Sequence, residues 1–333
     1  MKSTFHKLYN HKLLLRSLGL IIFILVLTKI NISETLEIIF EVDLIFFVMA
    51  LLLFLLNFGI KSLRWKSLLK IQNIHLSFWE LMCSYIISVF LGTITPGRLG
   101  ELYKIKYICH KGYSIGRASV SVLIDKMCDI LILISLAFLV ITFPLIGLNQ
   151  GVILKVLVCM FGISILVAFI GLYHKETFKR LTSNLIKAFT PTKALEKIKF
   201  NLNEFWLDII KTKPRKLVIP IVITLIWLLG YLICNYLILL SLHVSIPLLY
   251  FVICISSIGV ISFLPISISG IGTRDITLIY LFSLVGINKE STIAFSSLIL
   301  FFLYIVNGIF SLIALLILKK APRTINGNCD ILR

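Results

Sequence analysis

TITPGRLGE, from Thr93 to Glu101, interrupts a long apolar stretch with one proline and two glycines and sets an arginine three residues ahead of a carboxylate. The run before it, Ser77 to Thr95, approaches the roughly 20 residues that cross a bilayer, yet Arg98, Lys104, Lys106, Lys111 and Arg117 follow. Lysine and arginine collect on the cytoplasmic side of membrane proteins, and a simple crossing would place this cluster outside. The segment therefore reads as a re-entrant hairpin that enters from the cytoplasm, breaks at Pro96 and Gly97, and returns through Leu99 to His110. An arginine at bilayer depth costs about 2.5 to 3.5 kcal/mol on the insertion scale, so the break is a candidate functional site.

Upstream, Leu44 to Leu63 spans and ends among Lys61, Arg64, Lys66 and Lys70, which marks the cytoplasm. Asn31 to Asp43 carries Glu34, Glu37, Glu41 and Asp43 with no basic residue, as suits the far side. Leu13 to Ile30 is then the first span; Lys2, Lys7, Lys12 and Arg16 precede it, and no small-residue cleavage site follows. Downstream, Ala118 to Phe143 crosses outward and Val152 to Tyr173 returns. Residues 174–216 carry eleven Lys and Arg against four acids, with Leu195, Ile198, Leu202, Phe205 and Ile209 at helical spacing. They read as cytoplasmic amphipathic helices on the anionic leaflet, with recognition of a lipid head or a partner as the sharper alternative.

Leu217 to Leu242 leads outward, and Thr292 to Leu318 runs back to Lys319, Lys320 and Arg323. Both ends of Ile246 to Gly286 then lie outside, so this segment is a second hairpin, broken around Pro265 to Arg274 by SISGIGTRD, Ser267 to Asp275. One hairpin from each face is the trace of an inverted repeat, whose broken helices build sites near the bilayer midplane. Thr93, Ile94 and Thr95 match Ser267, Ile268 and Ser269 in kind. The expected fold is one all-α domain over residues 1–333, with six spans, two opposed re-entrant hairpins and both termini cytoplasmic in the cell membrane.

Composition agrees: 59% of the residues are hydrophobic and 14% charged, with a mean hydropathy of +1.04, which excludes a soluble domain. The net charge of +18 sits mostly between apolar runs, so it reports orientation and not nucleic acid. The seven cysteines show no CxxC or CxxH spacing, and Cys83, Cys128, Cys159, Cys234 and Cys254 lie in apolar runs, so neither a metal nor a disulfide framework is expected. No HExxH or Gly-x-Ser-x-Gly occurs, and GTITPGR at Gly92 to Arg98 lacks the Lys and Ser or Thr of a P-loop. No catalytic residue and no cofactor is assigned.

Each half-helix that restarts after a break points unpaired N–H groups and a positive dipole end at it, which suits an anion. Arg98 and Arg274 would add bidentate donors for phosphate, with Glu101 and Asp275 holding them while the site is empty. Alternatively, each arginine only pairs with its neighbouring carboxylate and pins its hairpin. The glycines Gly97, Gly100, Gly270 and Gly272 serve either role, with Pro96 and Pro265 as the helix breaks. Asp125, Lys126 and Asp129 form a second cluster, the two aspartates one turn apart, as a relay or an ion pair. Arg64 and Trp65 read as an interfacial anchor, or Arg64 as a ligand for lipid phosphate.

Arg64-Trp65, TPGRLGELYK from Thr95, ASVSVLIDKMCD from Ala118 and LPISISGIGTRD from Leu264 occur in this order, and together resemble the transmembrane, flippase-like domain of the lysylphosphatidylglycerol synthase family. The resemblance covers about residues 10 to 320 and carries the family pattern onto Pro96, Gly97, Arg98, Gly100 and Glu101, and onto Pro265, Gly270, Gly272, Arg274 and Asp275. Ile266 to Ser269 and Asp275 depart from it. It implies a domain that moves lipid between leaflets, and with the chain ending at Arg333 no aminoacyl-transferase domain is expected. The reading is a non-enzymatic flippase for an anionic phospholipid or a polyisoprenyl-phosphate-linked lipid. The alternative is a membrane subunit or partner of a glycosyl- or aminoacyl-transferase, and self-association is left open.

Overall fold

A computed structural model describes residues 28, 30–146, 214–263 and 270–320. The expected spans Leu13 to Ile30 and Val152 to Tyr173, residues 174–213, Cys159, Cys329 and residues 264–269 with Pro265 fall outside these, apart from isolated residues at 28 and 30. Among the described residues the structure is helical, with no strand.

Capping by side chains sets the early helix starts. Asn31 accepts from the Glu34 N–H to begin α1, Ile32–Phe40, and Asp43 accepts from the Ile45 N–H at 2.8 Å to begin α2, Leu44–Ile71. The acidic stretch expected on the far side thus contains a helix, with Ile32, Leu36 and Phe40 exposed along it. Ser77 and Glu80 form a reciprocal capping box that starts α3, Phe78–Ile94. A 3₁₀ segment, Pro96–Leu102, interrupts the chain where proline removes a donor, and α4, Tyr103–His110, and α5, Ile115–Ile146, follow. The second part holds α6, Val218–Ser241, α7, Leu248–Phe263, α8, Thr273–Ser283, and α9, Lys289–Leu300. From α9 a π-helical segment, Phe301–Val306, continues into α10, Asn307–Lys320.

Among the described residues three helices stand out as long and apolar enough to cross a bilayer: α2, α6 and the continuous Lys289–Lys319, at mean hydropathies of 2.4, 2.2 and 2.5. Helix α5 carries Arg117, Asp125, Lys126 and Asp129 in its first half, and its sequence from Ile130 to Ile146 holds no charge.

Helices α2 and α6 run antiparallel and form the spine. The Asp43 N–H donates to the Ser241 carbonyl at 2.8 Å, Cys234 Sγ to the Ala50 carbonyl at 3.4 Å, and Arg64 to Thr224. Gly230 lets them approach, because a Cβ there would lie 2.6 Å from Asn57 Oδ1. Each spine helix feeds one hairpin from its C-terminal end, so the hairpins leave from opposite ends. In the first, Lys111 Nζ, just after α4, reaches Glu80 Oε1 at the start of α3 at 2.6 Å. In the second, the Tyr250 hydroxyl at the start of α7 donates to the Leu281 carbonyl near the end of α8 at 2.6 Å. Both hairpins therefore close on themselves.

The two halves repeat in backbone detail. After α2 and α6 the chain turns through Asn73 and His243, both left-handed at a φ of 55° and 57°. After α4, the N–H groups of Lys111, Gly112 and Tyr113 bond Ile108, Cys109 and again Ile108; after α8, those of Val285, Gly286 and Ile287 bond Phe282, Ser283 and again Phe282. Carrying the chain forward by the interval from Gly112 to Gly286 pairs Glu101 with Asp275 and left-handed Arg98 with left-handed Gly272. It also pairs Thr93 to Thr95 with Ser267 to Ser269, as the sequence suggests. The two arginines are not equivalent in this register: Arg274 corresponds to Gly100.

Candidate functional site

Glu101 stands at the centre of a buried ion cluster at the first break. Its Oε2 lies 2.5 Å from Lys126 Nζ and 4.0 Å from Lys104 Nζ, and its Oε1 lies 3.9 Å from an Arg98 nitrogen. Beneath it, Asp125 accepts from Lys104 Nζ at 2.8 Å, from Arg64 Nε at 2.8 Å and from the Tyr85 hydroxyl at 3.4 Å. Asp129 accepts from Arg64 at 2.9 Å and faces Lys61 Nζ at 3.3 Å. Aromatic faces complete the wall, with Lys104 Nζ 4.2 Å from the Tyr85 ring centroid and Lys61 Nζ 3.8 Å from that of Trp227.

Local structure explains the assembly. Helical spacing puts Asp125 and Asp129 on one face of α5, and the fold-back of the hairpin brings Lys104 and Glu101 to that face. Gly100 makes the fold-back tight, since a Cβ there would overlap the Leu91 carbonyl; at Gly92 it would meet Glu101 Cγ at 2.7 Å. The Thr95 hydroxyl accepts the Gly100 N–H at 2.7 Å. Arg98 holds a φ of 57°, a conformation that costs a side-chain-bearing residue about 1 to 2 kcal/mol. Its side chain is 44% exposed, whereas those of Arg64, Lys104 and Asp125 are fully buried. Pro96 and Gly97 lie in the same 3₁₀ segment.

Burial of Arg64 and Trp65 replaces the expected interfacial anchor: Arg64 is tied to α5, and Trp65 Nε1 donates to Ser121 Oγ at 3.4 Å. The aspartates pair with Arg64, Lys104 and Lys61, while Lys126 pairs with Glu101. Lysines 61 and 104, Tyr85 and Ser121 escape sequence reasoning, although two aspartates one turn apart in an apolar helix already demand cations from elsewhere.

At the second break the described charged residues are buried. Arg274, 2% exposed, donates to Ser296 Oγ at 2.7 Å and to the Ser296 carbonyl at 3.2 Å, and lies 3.5 Å from Asp275 Oδ1. Asp275 accepts from the Gly272 N–H at 2.8 Å and from the Ser296 hydroxyl, capping α8. Gly270 takes a φ of 80° against Ser262 Oγ. Arg98 and Arg274 share no bond, but Tyr231 of the spine lies within electrostatic reach of both.

Outside the apolar layer, Glu80 bonds Lys111. Burial acts to raise its carboxyl, and the Lys111 hydrogen bond and charge outweigh this, so it ionises below the ordinary glutamate range. No group of three or more His, Cys, Asp or Glu side chains suited to a metal occurs among the described residues.

Over 135 residues the chain is 28% identical to the UPF0104 membrane protein PH1989 of Pyrococcus horikoshii, a match spanning 38% of this chain and 40% of that relative. A match to the lysylphosphatidylglycerol synthase transmembrane region covers residues 13–311, including both breaks, all of the ion cluster and the spine. This α-helical membrane protein belongs to the lysylphosphatidylglycerol synthase transmembrane-region family.

Proposed function

We propose that the protein translocates a lipid with an anionic head group between leaflets of the cell membrane, and that the head group binds at the first break. The observation that carries the proposal is the charge balance of the cluster. Among the described residues, Lys61, Arg64, Arg98, Lys104 and Lys126 stand against Glu101, Asp125 and Asp129, a formal excess of two positive charges around mostly buried side chains. Such an excess at bilayer depth is costly unless an anion offsets it. The Glu101 carboxylate, facing three cations, occupies the kind of position a phosphate oxygen takes. A lipid phosphate reaches the cluster through exposed Arg98, whose planar fork suits it, and displaces the long Arg98–Glu101 contact.

The opposed hairpins act as the two re-entrant elements of an inverted repeat, entering from the cytoplasmic and the external face. Alternating exposure of the break to each side moves the head group while the acyl tails stay in lipid. The protein acts as a transporter and not as an enzyme, with the termini in the cytoplasm.

Reconstituted into proteoliposomes with labelled anionic phospholipids and a polyisoprenyl phosphate, the wild-type chain is expected to move at least one of them faster than an Arg98→Ala variant inserted to the same level. Equal movement by both for every lipid, at the leak rate of empty vesicles, overturns the proposal.

A further inference from the structure

Helix α1 carries three stripes that meet three different surroundings. Thr35 is buried, and Ile38, Ile39 and, just past the helix, Val42 pack against the apolar core that includes Ala294, Phe295 and Leu298 of α9. Glu34, Glu37 and the C-cap residue Glu41 share a second side, with Glu37 and Glu41 exposed. Ile32, Leu36 and Phe40 share a third, and are 55%, 47% and 83% exposed. At 3.6 residues per turn the three stripes point about a third of a turn apart.

The fold sets α1 at the boundary of the apolar layer. Asp43, which caps α2, donates its N–H to the carbonyl of Ser241 at the end of α6, and α9 opens with the charged residues Lys289 and Glu290. All three long apolar helices therefore begin or end beside α1. The exposed stripe also runs on in sequence into Leu44 and Ile45, 72% and 71% exposed, and then along α2 through Val48, Met49, Leu52 and Leu56. Helix α2 is a span, so that surface faces acyl chains, and the α1 stripe continues it to the boundary.

The acidic stripe fixes the direction of the helix. Standing along the membrane normal, α1 would hold its carboxylates against lipid, which is costly. Lying in the plane of the interface with one flank on α9, it turns the carboxylates to water and the apolar stripe into the leaflet. From Asn31 to Asp43 there is no lysine or arginine, so attraction to anionic head groups does not hold it there. We infer that α1 is an interfacial helix that docks on the leaflet through Ile32, Leu36 and Phe40. It anchors the outer flank of α9, the helix whose Ser296 holds Arg274 at the second break. None of the ion cluster enters this reading, which stands apart from the anion proposal.

The test uses the full-length protein in phosphatidylcholine vesicles, spin-labelled at one introduced cysteine at a time: Ile32→Cys, Leu36→Cys, Phe40→Cys, Glu37→Cys or Glu41→Cys. The signal of labelled wild-type protein is subtracted, and collision with oxygen, which concentrates in lipid, is compared with collision with a water-soluble nickel chelate. The ratio of oxygen to nickel collision is expected to be several-fold higher at the three apolar positions than at the two acidic ones. Nickel-dominated collision at all five positions places the stripe in water and overturns the inference. Weak collision with both probes at the apolar positions shows that protein covers the stripe, a second copy or another partner, and overturns it equally. All five side chains are exposed, so the substitutions spare the packing against α9; should one variant fail to insert, the remaining positions decide.

Discussion

Beside the first hairpin Arg64, Lys104 and Asp125 are fully buried, with Arg64 and Lys104 both bonded to Asp125; counting Arg64 back from the Asn73 and His243 turns, and Lys104 and Asp125 from the Gly112 and Gly286 turns, the corresponding places beside the second are filled by Cys234, Leu278 and Ile299. All three belong to one apolar core with Ala50, Phe251, Phe282, Phe295 and Phe302. The backbone turns are the same, so this architecture closes with apolar residues at those sites. Nothing in the fold itself demands the charges. Buried ion pairs are weak devices for stability, since similar-sized apolar residues often replace them at no cost. The asymmetry therefore speaks for a task confined to the first half.

Breaking one member of the cluster should have the largest effect. Asp125→Asn strips Arg64, Lys104 and Tyr85 of their shared carboxylate and is expected to cost about 3 to 5 kcal/mol, read as a lowered melting temperature in detergent. Placing the second half's residues in the first, as Arg64→Cys with Lys104→Leu and Asp125→Ile, should restore most of that loss and still abolish transport. A triple variant as unstable as the single one would mean that the two halves are not interchangeable at these places.

Gly100→Ala should come next. The added methyl overlaps the Leu91 carbonyl, and relief of that overlap pushes the hairpin away from α3, at a cost of about 2 to 3 kcal/mol by analogy with overpacked cores. Normal folding and transport in this variant would show that the fold-back is looser than described. Arg98→Gly imposes on the first break the residue found at Gly272. It should leave stability unchanged or raise it by about 1 kcal/mol, because glycine accepts the left-handed conformation, while transport falls to background. Retained transport would reduce Arg98 to a structural role.

The smallest effect belongs to the closure of the first hairpin. Glu80 ionises below its ordinary range, so its contribution is complete above the unfolded value near 4.5 and is lost as pH falls through the lower folded value. Glu80→Gln should remove less than about 1 kcal/mol at neutral pH and nothing further in acid. In the second hairpin Tyr250→Phe removes a bond with no ionisable partner, so its cost should not change with pH across that window.

Much of this frame is legible in the sequence because apolar length and basic flanks are local signals. They place the start of α2 at Leu44, α3 between Ser77 and Thr95, and α6 almost to the residue. The repeat is legible at Thr93 to Thr95, whose match to Ser267 to Ser269 shares the register of the turns after α4 and α8. Sequence order misleads about the arginines, which look like a pair because each precedes a carboxylate; the register of that same match sets Arg98 against Gly272, and the shared left-handed backbone agrees. Arg64 misleads for another reason. It lies among Lys61, Lys66 and Lys70 at the end of an apolar run, which reads as a cytoplasmic flank, and its partners are 61 and 65 residues away.

The same 61-residue separation has a consequence for how the protein is made. At about 5 to 20 residues per second, a ribosome finishes Arg64 roughly 3 to 12 s before it finishes Asp125. During that interval the guanidinium, and later the Lys104 ammonium, have no carboxylate from α5 to meet. The nascent end of α2 and the first hairpin must wait in the hydrated interface, and α5, in arriving, is what draws them into the bilayer.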